Sequence, residues 1–201
     1  MNRRLPGDGG GVALTFDDGP HPEGTPAVLS ALAATGARGT FFLVGEQVER
    51  YRSLAADVAA AGHEIAVHGQ LHRNQMRLGP RAVADDLRRA VATIGDATGQ
   101  TPALHRPPYG IYTPAGLAIA RRAGLTPLLW SKWGRDWHER TSAGEIAALA
   151  TRSLSDGDVM LLHDADWYSA QGSHRRTAAA LPLILGEIER RGLQPAGWPG
   201  R

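Results

Sequence analysis

Two histidines four positions apart, His68 and His72, and two adjacent carboxylates, Asp17 and Asp18, are the side chains in this sequence best suited to chemistry. One helical turn or a tight loop brings imidazoles at that spacing to one side. With one carboxylate of the Asp17-Asp18 pair they make a two-histidine, one-carboxylate set. Zinc accepts such a set at about 2.0–2.2 Å per ligand and keeps a position open for water and substrate, and nickel, cobalt, manganese or iron suit it as well. A cation there lowers the pKa of a bound water toward about 7, and the second aspartate is available to take its proton. Arg106 can orient that carboxylate through paired hydrogen bonds and keep it ionised. His163 can return a proton to the leaving group, with Asp136 on its other ring nitrogen holding it protonated. Pro107 and Pro108 stiffen the neighbouring loop, so that a backbone N–H near Tyr109 can meet a developing oxyanion. Tyr109, Trp137 and Leu161 are candidates to line a small apolar substrate pocket. The whole is machinery for metal-assisted hydrolysis of an amide or ester, and no Gly-x-Ser-x-Gly elbow or phosphate-binding loop competes with it.

The elements that must position these groups follow from the hydrophobic pattern. Val12-Ala13-Leu14 leads into Asp17-Asp18-Gly19-Pro20, a buried strand breaking into a turn. Side chains alternate along a strand, so the two aspartates diverge unless the strand ends between them. A helix follows from about Thr25 to Gly36, then a continuously apolar strand from Gly39 to Gly45, suited to burial on both faces. One helix is expected from about Glu46 to Ala61, a strand from His63 to Val67, and a helix from Arg81 to Ala97. Leu104 enters the stiff turn Arg106-Pro107-Pro108-Tyr109-Gly110. Beyond it come a helix from Thr113 to Ala123, a strand from Leu125 to Trp130, a tryptophan-rich loop, a helix from Ala143 to Leu154, a strand from Asp158 to Asp164 and a helix from Arg175 to Arg191. Alternating strands and helices predict an α/β domain with parallel strands and crossover helices. Asp17, Asp18, His68, His72, Arg106, Asp136 and His163 all fall at or just past the C-terminal ends of strands, the face on which parallel barrels assemble active sites.

Composition narrows the setting. A chain of 201 residues fits one domain with an ample core; residues 12–201 are read as that domain and 1–11 as an N-terminal tail. No cysteine is present, which excludes disulfides, thiolate zinc sites and a cysteine nucleophile. The net charge is +2, Lys132 is the only lysine, and no basic stripe marks a nucleic-acid surface. No stretch is apolar and long enough to span a bilayer, and Met1 to Gly11 lacks the apolar centre of a leader. The expected setting is therefore cytoplasmic, or exported with the leader removed.

Thr15-Phe16-Asp17-Asp18-Gly19-Pro20, His68-Gly69-Gln70-Leu71-His72, Arg106-Pro107-Pro108-Tyr109, Asp136-Trp137 and Leu161-Leu162-His163 resemble the five ordered motifs of the polysaccharide deacetylases, the NodB-homology domain of carbohydrate esterase family 4. The resemblance spans Val12 to about Leu193. It implies a distorted (β/α) barrel of about seven strands with one divalent metal, usually zinc, on Asp18, His68 and His72. It also implies Asp17 as base, His163 as acid, Arg106 orienting Asp17 and Asp136 paired with His163. The implied reaction removes N- or O-acetyl groups from an acetylated carbohydrate such as a chitin oligosaccharide, peptidoglycan or acetylxylan. Two other readings keep the fold: an enzyme for a small acetylated metabolite, and a catalytically silent carbohydrate-binding barrel.

Two positions depart from the family pattern. Gly69 replaces a common Ser or Thr, removing a hydroxyl that would support the metal loop, and Trp133 stands where many members carry an aspartate. His21, His63, His105, His138 and His174 are read as structural or solvated. Asp164, Asp166, Trp167 and Tyr168, which follow the acid histidine, are expected to form a sugar-binding wall.

Overall fold

The computed structural model describes residues 2–6 and 11–198. Seven parallel strands form one curled sheet in the order β5-β4-β3-β2-β1-β7-β6, and a short eighth strand, β8, runs beside the start of β1. In chain order the elements are β1 (Gly11–Asp17), α1 (Gly24–Ala33), β2 (Thr40–Leu43), α2 (Gly45–Arg50), α3 (Arg52–Ala60), β3 (Glu64–Val67), α4 (Pro80–Thr98) and β4 (Leu104–His105). They continue with α5 (Pro114–Arg122), β5 (Thr126–Pro127), β6 (Lys132–Trp133), α6 (Ala143–Ala150), β7 (Val159–His163), α7 (Ser173–Arg190) and β8 (Gln194–Ala196). Asn2 bridges Leu128 just past the edge strand β5, while Arg4 bridges Asp158 just before β7, so the N-terminal segment links the two sides of the curl. Among the described residues no helix is long and apolar enough to cross a membrane.

Period-two alternation divides the strands between two hydrophobic layers. Val12, Leu14 and Phe16 of β1, Phe41 and Leu43 of β2, Ile65 and Val67 of β3, and Met160 and Leu162 of β7 face outward and pack with Val28, Leu32, Ile94, Ile146, Leu181 and Ile184 of the surrounding helices. Ala13, Phe42, Ala66, Leu104 and Val159 face the barrel interior with Leu128. Burying one such Leu or Phe side chain contributes roughly 1.5–3 kcal/mol. The same parity then decides where the chemistry goes. Counting by two from Ala13 gives Thr15 and Asp17, from Ala66 gives His68, from Leu104 gives Arg106, and from Val159 gives Leu161 and His163. All of these lie on the inward rows; Asp17 and His163 end their strands, and His68 and Arg106 directly follow theirs.

Three expectations about elements are corrected. The helix from Glu46 to Ala61 is two helices, broken at Tyr51, whose backbone leaves helical space (φ −128, ψ 51) and whose ring stacks on Trp167. The strand from Leu125 to Trp130 shrinks to Thr126–Pro127, since Pro127 has no N–H for a ladder and the carbonyls of Leu128 and Leu129 are taken by the Arg106 guanidinium. Within the tryptophan-rich loop, Lys132–Trp133 forms a strand paired with Met160 and Leu161.

Candidate active site

Asp17 ends β1, and Asp18 adopts a left-handed backbone (φ 78) that costs a non-glycine residue strain. That reversal brings two neighbouring carboxylates, which an extended strand would aim apart, into one cavity. The cavity is about 380 Å³ and is lined by Asp17, Asp18, His68, His72, Tyr109, Trp130, Trp133, Trp137, Leu161 and His163. Thus all three residues expected to line an apolar pocket, Tyr109, Trp137 and Leu161, reach it. Arg106 and Asp136 lie behind the lining, each with no exposed surface.

Asp18 Oδ1 lies 3.4 Å from His68 Nε2 and 3.3 Å from His72 Nε2, and it is buried without a hydrogen-bond partner. His68 Nδ1 is 2.8 Å from the Arg106 carbonyl, which can only accept, so Nδ1 carries the proton and Nε2 presents its lone pair to Asp18. Burial holds His68 below the usual imidazole pKa despite the nearby Asp17 and Asp18. Burial alone would raise Asp18, but the adjoining His72 and the positive charge at His163 outweigh it and keep the carboxylate ionised. His72 is oriented by rings: Tyr168 stacks on it at 4.0 Å and 8°, and Tyr109 meets it edge-on at 4.8 Å. The Tyr168 hydroxyl is itself held, donating to Glu46 at 2.6 Å and accepting from Gln47 at 2.9 Å.

Arg106 NH1 donates to Asp17 Oδ1 at 2.6 Å and to the Thr15 hydroxyl at 2.9 Å. The expected pair of bonds to Asp17 is thus a single bond, because Nε and NH2 are spent on the carbonyls of Leu128 and Leu129, each at 3.1 Å. The guanidinium also lies 4.0 Å over the Phe42 ring. A buried cation is costly unless paired and fully hydrogen-bonded, and these contacts fix Asp17 from beneath. On the far side, Asp136 accepts the backbone N–H of His163 at 2.6 Å, His163 Nδ1 at 3.0 Å and the Thr177 hydroxyl at 2.9 Å. Burial acts to lower the His163 pKa; the charge and hydrogen bond of Asp136 reverse it, Asp18 and Asp17 add to the rise, and the imidazole is pushed up to about 10. His163 is therefore protonated at neutral pH, with Nδ1–H on Asp136 and Nε2–H free for the cavity.

Several supporting residues carry no sequence signal of their own. Gly69 has φ +100, and a Cβ there would come within 3.1 Å of Asp86 Oδ2. Asp86, on α4, accepts from the N–H groups of Gln70 and Leu71 at 2.8 and 3.4 Å and from Arg73 at 2.7 Å. A carboxylate on a helix thus holds the His68–His72 loop. Asp164 lies under the aspartate turn, where Thr25 donates to it at 2.5 Å, and burial pushes its carboxyl up to about 7. Of the expected sugar-binding wall only Tyr168 lines the cavity. Asp164 is buried, Trp167 donates to the Pro20 carbonyl, and Asp166 joins His21 and His174. His21, Asp166 and His174 also converge closely enough to ligate a cation. However, His21 Nδ1 accepts from the N–H groups of Glu23 and Gly24, so its proton sits on Nε2, 3.2 Å from Asp166. That geometry donates to the carboxylate and ties the loop after Asp18 to the loop after His163.

The sequence matches the family described as polysaccharide deacetylase over residues 5–128. The chain belongs to the polysaccharide deacetylase family. It is 35% identical over 202 aligned positions to a chitooligosaccharide deacetylase of Bradyrhizobium sp. (strain ANU 289), covering 96% of this chain and 92% of that protein. Its fold is similar to a family 4 carbohydrate esterase from Streptomyces lividans solved with acetate, at TM-score 0.83 and 32% identity over 94% of this chain and 92% of that one. It is also similar to a family 4 acetyl xylan esterase from Clostridium thermocellum solved with a cobalt ion, at TM-score 0.84 and 28% identity over 92% of this chain and 87% of that one.

Proposed function

We propose that this polysaccharide deacetylase removes acetyl groups from a carbohydrate by metal-assisted hydrolysis, with Asp17 as base and His163 as acid. The observation that carries this reading is the convergence of three buried ligand atoms. The Nε2 lone pair of His68, the His72 ring and an ionised carboxylate oxygen without a hydrogen-bond partner meet within 4.8 Å of one another. A buried lone pair and a carboxylate aimed at one point repel each other unless a cation lies between them, and His72 offers that cation a third ligand. Asp18, His68 and His72 fit zinc, and the same donors suit cobalt, nickel or manganese. When bound, the cation supplies a lowered pKa for a water molecule and polarises the acyl oxygen.

The remaining work falls to the side chains. Asp17, fixed by Arg106 and 3.8 Å from His68 Nε2, takes the proton of the attacking water. The Tyr109 N–H is donated to no acceptor among the described residues, whereas its neighbours on Gly110 and Ile111 bond Pro107 and Pro108; it is free to stabilise the developing oxyanion. Trp137 packs edge-on against the His163 ring at 5.6 Å, and with Leu161 it offers a small apolar slot for an acetyl methyl. His163 Nε2–H then protonates the departing amine or alkoxide. The test is acetate release from chitooligosaccharides, acetylated xylan and peptidoglycan fragments, measured after chelation and after return of zinc or cobalt. Release that requires the metal is expected, and absence of release from every saccharide with metal present would overturn the reading.

A further inference from the structure

The cavity extends past the residues that the proposed reaction uses. Rings follow one another from the acid: Trp137 lies 5.6 Å from His163, Trp133 lies 5.9 Å from Trp137, and Trp130 lies 6.0 Å from Trp133. Trp133, between the other two, is 43% exposed, although a large aromatic ring loses favourable free energy when left in water. Its position is fixed from two sides. On the strand, Trp133 pairs in register with Leu161 of β7, two residues before His163. Beside it, Trp130 is pressed against Gly110, where a Cβ would come within 2.4 Å of the indole and where φ is +67. Residue 110 must therefore be glycine for Trp130, and with it the wall, to stand where it does. Tyr109, which also lines the cavity, is 58% exposed. Along this wall the cavity is lined by Trp130, Trp133 and Trp137 without a charged side chain among them.

We propose that Trp133 is the stacking surface for a second, neutral pyranose ring of the substrate, next to the ring whose acetyl group enters the Trp137–Leu161 slot. This rests on the deacetylase reading and deepens it: the protein acts on oligomers in preference to single sugars. The flat C–H faces of a pyranose stack on an indole, and an aromatic ring already rigid in the free protein loses little entropy when it binds. An indole in place of the carboxylate common at this position replaces a solvated charge with a plane suited to an uncharged ring.

Acetate release would be measured for wild type, Trp133→Ala and Trp133→Phe on chitin oligomers of one to four units. Each protein would also be titrated with cellotetraose, which carries no acetyl group, by intrinsic fluorescence and calorimetry. In wild type, kcat/KM rises with chain length. In Trp133→Ala the advantage of the tetramer over the monosaccharide falls about tenfold, through KM, which corresponds to about 1.4 kcal/mol, and Trp133→Phe restores part of it. Cellotetraose binds wild type and not Trp133→Ala. An unchanged tetramer advantage in a folded Trp133→Ala, together with unchanged cellotetraose binding, would overturn the proposal. Cellotetraose binding that depends on Trp133 without acetate release from any oligomer would keep the stacking surface and sink the deacetylase reading instead.

Discussion

Replacing Asp136 with asparagine keeps the shape of a fully buried side chain and removes its charge. Asp136 holds both the backbone N–H and Nδ1 of His163, at 2.6 and 3.0 Å, and is the largest influence opposing the burial that would lower the His163 pKa. Asp18 and Asp17 add to the rise toward about 10, but a cation on Asp18 offsets that residue's share, so Asp136, with a smaller part from Asp17, sustains the rise in the loaded enzyme. Without it burial is opposed mainly by Asp17, and the pKa falls from about 10 toward the ordinary value of about 6.5. At pH 8 a group with pKa of about 10 is about 99% protonated, and one at about 6.5 is about 3% protonated. If His163 acts as the acid, kcat/KM at pH 8 falls by up to about 30-fold in Asp136→Asn, and its alkaline limb moves from near pH 10 toward about pH 6.5. The assay is kcat/KM on a chitin tetramer from pH 5 to 11 at saturating metal, with folding checked by circular dichroism. An alkaline limb that stays in place in the folded variant refutes the assignment of His163 as an acid tuned by Asp136. The same shift links to stability. The native state holds a proton that the unfolded chain releases, so this contribution is fully present below about pH 6.5 and is lost as pH rises through about 10. The melting temperature of wild type should therefore fall across that window more steeply than that of Asp136→Asn.

Other outcomes follow from the supports around the site. Asp86→Ala removes the acceptor of the Gln70, Leu71 and Arg73 donors and should weaken metal affinity about 10- to 100-fold, read by chelator competition. Tyr168→Leu deprives His72 of its stacking partner and should lower metal affinity by about tenfold, while Tyr168→Phe, which loses only the bonds to Glu46 and Gln47, should lower it less. Gly110→Ala sets a Cβ against the Trp130 ring at a positive φ and should cost about 1–3 kcal/mol, seen as a fall in melting temperature.

The site was legible in the sequence to the extent that it follows from local rules. Strand ends marked by apolar runs placed Asp17, His68, Arg106 and His163 on one face, and alternation along β1 and β7 carried Asp17 and His163 into the same interior. Asp18 needed more than alternation, since only its left-handed backbone turns it beside Asp17. The supports were not legible, because they come from residues distant in sequence. Asp86 lies within a helix, Thr177 is an ordinary buried helical threonine, and Tyr168 meets His72 only because the loop after β7 folds over the loop after β3. Short edge strands escaped for a related reason. Lys132–Trp133 is held by pairing to β7 rather than by its own pattern, and Pro127 together with Arg106 ends β5 early.

The division of labour between the adjacent aspartates is the centre of the account, and metal content measured beside turnover in Asp17→Asn and Asp18→Asn tests it most directly. Asp17→Asn should bind one equivalent of zinc as wild type does and lose about 10²- to 10⁴-fold in kcat, the range of a positioned base. Asp18→Asn should lose the metal itself. Full activity in Asp17→Asn, or full metal occupancy in Asp18→Asn, would contradict it.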